Sequence, residues 1–152
     1  MTMRGVLVLM LWLSMGCCFA RLGETEQQVT NRYGAVVQAK VDDAGRRVLT
    51  FKFQRYWVQV TLRDGKSVVE YVAVRMKGEP FLEPDALAVA GMVSGTTNWV
   101  LRDAGAFSRF WVSNPSRFFA SFSNEPGAVQ SILVSTVAES AIATPPRAPS
   151  GF

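Results

Sequence analysis

This chain of 152 residues contains no histidine. Its main candidates for acid–base chemistry are therefore the carboxylates of Asp and Glu. Without histidine, Ser-His-Asp and Cys-His nucleophilic sites, His-ligated zinc and histidine general-base catalysis are excluded within the chain. Glycoside hydrolysis needs only a pair of acids a few ångströms apart. Asp42 and Asp43 lie in a turn sequence, where aspartate has a backbone role, and a solvated strand face explains Glu70. The sequence therefore predicts that the protein is not an enzyme, with a carboxylate-only hydrolase as an alternative.

Metal and cofactor sites are not predicted. The sequence has no Gly-rich phosphate loop and no cysteine cluster with metal-ligand spacing, since Cys17 and Cys18 are its only cysteines. Its 16 Lys and Arg against 12 Asp and Glu form a small, scattered excess of positive charge, so nucleic acid is not a predicted partner. Basic residues on the first hairpins are interpreted as a solvated face or edge-strand protection, with anionic envelope polymers or phospholipid headgroups as an alternative contact. These residues are Arg46, Arg47, Lys52, Arg55 and Arg63.

Aromatic residues stand side by side in several predicted strands, as in Tyr56-Trp57 and Phe110-Trp111. Consecutive residues of a strand point to opposite faces, so one member of each pair must leave the helix-covered face of a sheet. Large aromatic side chains anchor protein interfaces. We therefore predict a binding surface on the uncovered sheet face, formed by Trp57 with either Phe110 or Trp111. Packing between two structural units is the alternative use of these aromatic residues.

Residues 1–20 have the features of a secretory signal peptide. Arg4 is followed by the uncharged segment from Gly5 to Ala20. Its sixteen residues reach about 24 Å as a helix, short of the roughly 30 Å hydrocarbon core of a bilayer. Cleavage after Ala20 is predicted; the alternative is lipidation of Cys17, which would anchor the protein to a membrane. The sequence thus predicts export to the periplasm or the extracellular space.

The chain after the signal peptide is predicted to begin with a short helix. Thr25 and Gln28 have the spacing of a capping box, and Gly34 is placed to end the helix. Alternating apolar residues and Asp-Gly turn chemistry then predict antiparallel strands. These strands are predicted at 35–41, 48–53, 56–62 and 67–75.

A second helix with a similar succession of strands is predicted further along. Pro84 opens this helix, Leu87, Ala88 and Met92 form its apolar stripe, and Gly95 ends it. The sequence predicts an α+β fold of two tandem units, each a short helix packed on a three- or four-stranded antiparallel sheet. The second set of strands is predicted around 99–101, 107–112, 117–123 and 129–136. The units are predicted at 21–78 and 79–138, followed by a disordered tail at 139–152.

The first helix resembles the opening segment of the SmpA/OmlA (BamE) family in the positions of Gly23, Thr25, Val29 and Gly34. The repeated helix-plus-meander order is similar to the β-lactamase inhibitor protein fold. Together these resemblances imply a non-enzymatic module of the bacterial cell envelope, or a secreted one, that binds another envelope or secreted protein. An inhibitor of a secreted enzyme is the alternative. Its inserting loop would be 42–45 or 103–105.

Overall fold

A computed structural model of the protein describes residues 21–76 and 78–140, so the predicted signal peptide and most of the predicted tail lie outside the described residues. No helix in the described part of the chain is long and apolar enough to span a membrane. The helices are α1 (Glu26–Tyr33), α2 (Glu83–Ser94) and α3 (Val137–Ser140). The strands are β1 (Val36–Val41), β2 (Arg47–Phe53), β3 (Tyr56–Arg63), β4 (Lys66–Val74), β5 (Trp99–Ala104), β6 (Ser108–Ser113), β7 (Phe118–Ser123) and β8 (Ser131–Thr136).

All eight of these strands form one antiparallel sheet, in the order β1-β2-β3-β4-β8-β7-β6-β5. Strand β4 pairs with β8, placing Tyr71 opposite Leu133. The predicted α+β fold of two tandem helix-on-sheet units is therefore wrong: the chain is mostly a single sheet, and an internal repeat is not supported. The physical reason is that β4 would otherwise present an unpaired edge beside buried side chains, and pairing with β8 removes that edge.

The predicted capping box of helix α1 and its end at Gly34 are confirmed. The backbone N–H of Gln28 donates to Thr25 Oγ1 at 3.3 Å, and the backbone N–H of Thr25 donates to Gln28 Oε1 at 2.9 Å. Gly34 ends the helix with a φ of 89°, which a residue with a side chain rarely adopts. Val29 and Tyr33 are the buried residues of this helix, so its packing depends on one narrow stripe.

Helix α2 begins and ends close to the predicted positions, with Pro84 in its first turn and Gly95 in a left-handed conformation after it. Its predicted apolar stripe is wrong, because Met92 is 49% exposed and Leu87 is only half-buried. The side chains that the helix packs on the sheet have the spacing i, i+3, i+4, i+7. They are Ala86, Val89, Ala90 and Val93.

The main core lies between the sheet and helices α1 and α2. Helix α1 packs over β2 and β4, and α2 packs over β7 and β8. We call this side of the sheet the helix-covered face; its buried strand residues include Leu49, Phe51, Val58, Val60, Val72, Trp111, Phe122, Ile132 and Val134. On the other side, which we call the opposite face, a smaller apolar cluster consists of Val69, Tyr71, Ala73, Phe119 and Leu133.

Candidate functional site

Trp57 lies on the opposite face of the sheet, since its neighbour Val58 belongs to the main core. It is half-buried, and the Lys52 ammonium of the neighbouring strand lies 5.0 Å from its ring centroid. Directly opposite Trp57 on β4 is Ala73, and opposite Ala73 on β8 is Ser131, so the three residues form one cross-strand row. The half-buried ring of Trp57 thus stands next to two residues with small side chains, at one border of this face.

Phe110 and Trp111 divide between the two faces of the sheet. Phe110 belongs to the opposite face, where its ring centroid lies 5.6 Å from that of Phe119. Trp111 is 3% exposed and packs in the main core, 6.3 Å from Phe122 between ring centroids. Its burial removes Trp111 from the predicted surface, because strand β6 directs it toward the helices. The predicted pair is therefore Trp57 with Phe110.

Trp57 and Phe110 stand on either side of a strip of the opposite face that includes the buried side chains of Tyr71 and Leu133. They lie on β3 and β6, which are separated by β4, β8 and β7. Four strand spacings correspond to about 19 Å. The side chains nearest them across the strip are small, with Ala73 and Ser131 beside Trp57 and Ser121 directly across from Phe110. Two half-buried aromatic side chains thus border an apolar part of the opposite face.

A buried amide adds a polar feature to this strip. Gln59 is 4% exposed and lies next to Tyr71 in the cross-strand row. Within residues 21–76 and 78–140, its side-chain Oε1 has no hydrogen-bond partner. A buried carbonyl oxygen without a donor is unfavourable by about 1–3 kcal/mol. Sequence reasoning missed this residue, because alternation alone places Gln59 on a face without saying how deeply it is buried.

Glu70 lies on the helix-covered face, fully buried within the main core. The solvated-face interpretation of Glu70 is therefore wrong. The Tyr33 hydroxyl donates a hydrogen bond to Glu70 Oε2 at 2.6 Å, and Arg32 Nη1 lies 3.3 Å from Oε1. Arg32 also forms an ion pair with Glu24. These contacts attach helix α1 to the centre of the sheet, and the sequence signal was a single acid inside an otherwise apolar strand.

The environment of Glu70 controls its ionisation. Burial raises the pKa of Glu70 above its ordinary value, and the positive charge of Arg32 and the hydrogen bond from Tyr33 oppose this shift without cancelling it. Burial also raises the pKa of the Tyr33 hydroxyl, and the negative charge of Glu70 adds to the shift. Tyr33 therefore keeps its proton and acts as a donor to the carboxyl group.

The remaining predicted acids are not brought together with Glu70. Asp42 Oδ2 accepts a hydrogen bond from Arg46 Nε at 2.7 Å within the β1–β2 turn. Arg46 also lies 3.0 Å from a carboxylate oxygen of Glu139, which is 2% exposed and pairs with Arg63 as well. In the described residues no group of three or more acids or cysteines is arranged to hold a metal ion. These carboxylates act as partners of arginines and fix the β1–β2 turn against α3.

A secretory protein and an extracellular protein are among the solved structures that match this chain. A cysteine-rich secretory protein from Staphylococcus aureus is 13% identical, with a TM-score of 0.46 over 77% of this chain and 45% of that one. An extracellular protein containing an SCP domain, from Bacillus anthracis, is 11% identical, with a TM-score of 0.45 over 76% of this chain and 44% of that one. This chain therefore spans less than half the length of each. No protein-family model and no curated protein matches the sequence.

The resemblance to the SmpA/OmlA (BamE) family and to the β-lactamase inhibitor protein fold is wrong. The described strands form one eight-stranded sheet rather than two helix-on-sheet units, and no protein-family model matches the sequence. The residues that suggested the resemblance have a local explanation. Thr25 caps helix α1, Val29 is its buried contact, and Gly34 supplies the positive φ after it.

Proposed function

We propose that this chain is an exported, non-enzymatic binding module of the bacterial cell envelope, and that its partner is another envelope or secreted protein. Export rests on the uncharged segment from Gly5 to Ala20 after Arg4. The binding role is inferred from the strip of the opposite face that lies between Trp57 and Phe110. Neither aromatic ring is fully buried, so both retain surface that a partner can cover.

The strip has the chemistry of an interface centre. Aromatic side chains supply much apolar area with little loss of conformational entropy, and Trp and Tyr are enriched among the residues that dominate binding energy. The partner is therefore expected to contact the exposed parts of the Trp57 and Phe110 side chains.

A positive charge gives this partner a more specific chemistry. Lys52 is exposed at the Trp57 border and favours an acidic residue on the partner. The contacting surface of the partner is thus expected to be apolar, with a negative charge near Lys52.

Site-specific photo-crosslinking in intact producing cells tests this function. A benzoylphenylalanine in place of Phe110 is expected to form a covalent adduct with one defined protein, recovered from the envelope or culture fraction. Mass spectrometry of the adduct is expected to show a chain that begins at Arg21. The matched control carries the same crosslinker in place of Met92, which is exposed on the helix-covered side.

Adduct at position 110 but not at position 92 supports the proposal. Equal adduct formation at both positions, or none at position 110 in a folded and exported chain, contradicts it. Retention of the chain in the cytoplasm with residues 1–20 attached contradicts export and leaves the binding surface to be judged from the adducts alone.

A further inference from the structure

A cavity of 320 Å³ lies between helices α1 and α2 on the helix-covered face, remote from the strip of the opposite face. It exists because the two helices pack over different strands of the sheet and leave a gap between them. Its volume falls in the lower part of the range of small-molecule sites, roughly 300–1,000 Å³. Its lining residues are Arg32, Tyr33, Phe53, Gln54, Tyr56, Val58, Val72, Val89, Met92 and Val93.

The walls of this cavity are aromatic on one side and aliphatic on the other. The rings of Tyr33 and Phe53 lie 5.3 Å apart between centroids in an edge-to-face arrangement, which fixes the aromatic wall. Val58 and Val72 come from the sheet, and Val89 comes from helix α2. An occupant is therefore contacted by ring faces and methyl groups, and binding would be favoured mainly by apolar burial.

The charges near the cavity are already compensated within the protein. Arg32 pairs with both Glu24 and Glu70. Arg55, whose guanidinium lies 5.1 Å from the Tyr56 ring centroid, pairs with Glu79 at 3.4 Å. An anionic ligand would compete with the existing carboxylates, and a cationic ligand would meet two guanidinium groups. The electrostatics thus favour a neutral occupant.

We propose that this cavity binds a small, neutral, mostly apolar molecule with an aromatic or alkyl body. The ligand lies against Tyr33 and Phe53 on one side and against Val89 on the other. Met92, exposed at the helix surface and also part of the lining, forms the mouth. The site is distinct from the proposed protein-binding strip, because the sheet separates the two.

Fluorescence titration of the full chain with N-phenyl-1-naphthylamine, a neutral apolar probe, tests this proposal. Binding is expected to shift the probe emission to the blue and to saturate. Val89→Phe fills the cavity and is expected to weaken binding by about tenfold or more. Ala88→Phe is the matched control, because Ala88 precedes Val89 on the same helix, is exposed and does not line this cavity. Its affinity is expected to stay within about twofold of the original.

Methyl NMR of the unsubstituted chain locates the probe independently, which keeps the test decisive if Val89→Phe fails to fold. Probe addition is expected to shift the methyl signals of Val58 and Val72 and to leave those of Val69 and Leu133 on the opposite face unchanged. Absence of saturable binding, equal binding by both variants, or shifts confined to Val69 and Leu133 would overturn the proposal.

Discussion

The two faces of this sheet bury polar groups in different ways. On the helix-covered face, the buried carboxyl of Glu70 receives a hydrogen bond from Tyr33 and the charge of Arg32, both supplied by helix α1. On the opposite face, Gln59 is buried with an oxygen that no described residue satisfies. A helix that packs on a sheet brings polar partners with it. On the face without such a helix, a buried polar atom is left without a partner among the described residues.

Substitution of Trp111 is expected to have the largest effect on the free energy of unfolding. Comparison with a substitution of its neighbour Phe110 shows how much the two faces differ. Trp111→Ala removes a large side chain from the main core and is expected to lower the free energy of unfolding by about 3–5 kcal/mol. Phe110→Ala removes a half-buried ring and is expected to cost about 1–2 kcal/mol. Urea denaturation of both variants gives the two values. Equal losses would show that the opposite face is as well covered as the core.

Glu70 is expected to make the stability of the protein depend on pH, whereas the neutral groups of the opposite face do not titrate. Because the folded-state pKa of Glu70 is raised, its stabilising contribution is fully present below the unfolded pKa of about 4.3 and is lost as the pH rises through the folded value. In Glu70→Gln this titration is absent. The stability of the original chain relative to this variant should therefore fall with rising pH, by at most about 1.4 kcal/mol per pH unit.

Urea denaturation of the original chain and of Glu70→Gln, at pH values from below the unfolded pKa upward, measures the difference between their free energies of unfolding. Gln59→Glu is an informative companion, since it places a carboxyl in the buried row of the opposite face without partners from α1. A pH-independent difference between the original chain and Glu70→Gln would mean that Glu70 titrates as an ordinary glutamate.

Lys52 is expected to give the smallest effect on stability. Its ammonium contacts the ring of Trp57 at the exposed border of the opposite face. Lys52→Ala should change the free energy of unfolding by at most about 0.5 kcal/mol, because exposed cation–π contacts are weak. Thermal denaturation of Lys52→Ala beside Lys52→Arg measures this contribution. A loss above about 2 kcal/mol in Lys52→Ala alone would mean that this border belongs to the folded core.

Features determined by neighbouring residues were predictable from the sequence. The capping box of Thr25 and Gln28 involves residues three apart, and the β3–β4 turn depends on Asp64 and Gly65, which adopt φ values of 51° and 72°. The strand positions followed from alternation, which reports only how each residue relates to the next. The same rule separates the side chains of Tyr56 and Trp57 onto different faces of the sheet.

Features determined by distant residues were not predictable from these patterns. The pairing of β4 with β8 joins segments some sixty residues apart, and alternation is compatible with many partners. Glu70 meets Tyr33, 37 positions away in the chain, so nothing beside Glu70 indicated its burial. Helix α2 is apolar on most of its surface, so its sequence does not show which side is buried. The pattern predicts Met92 on the buried side, whereas the structure has Val93 there.

The place of β8 within the sheet also has a consequence for how the polypeptide acquires its structure during synthesis. Strands β1 to β4 leave the ribosome first, yet the inner flank of β4 is completed only when residues 131–136 arrive. Until then a valine-rich strand exposes open backbone groups of the kind that nucleate aggregation. The nascent protein thus passes through a vulnerable interval, which ends when β8 takes its central position in the sheet.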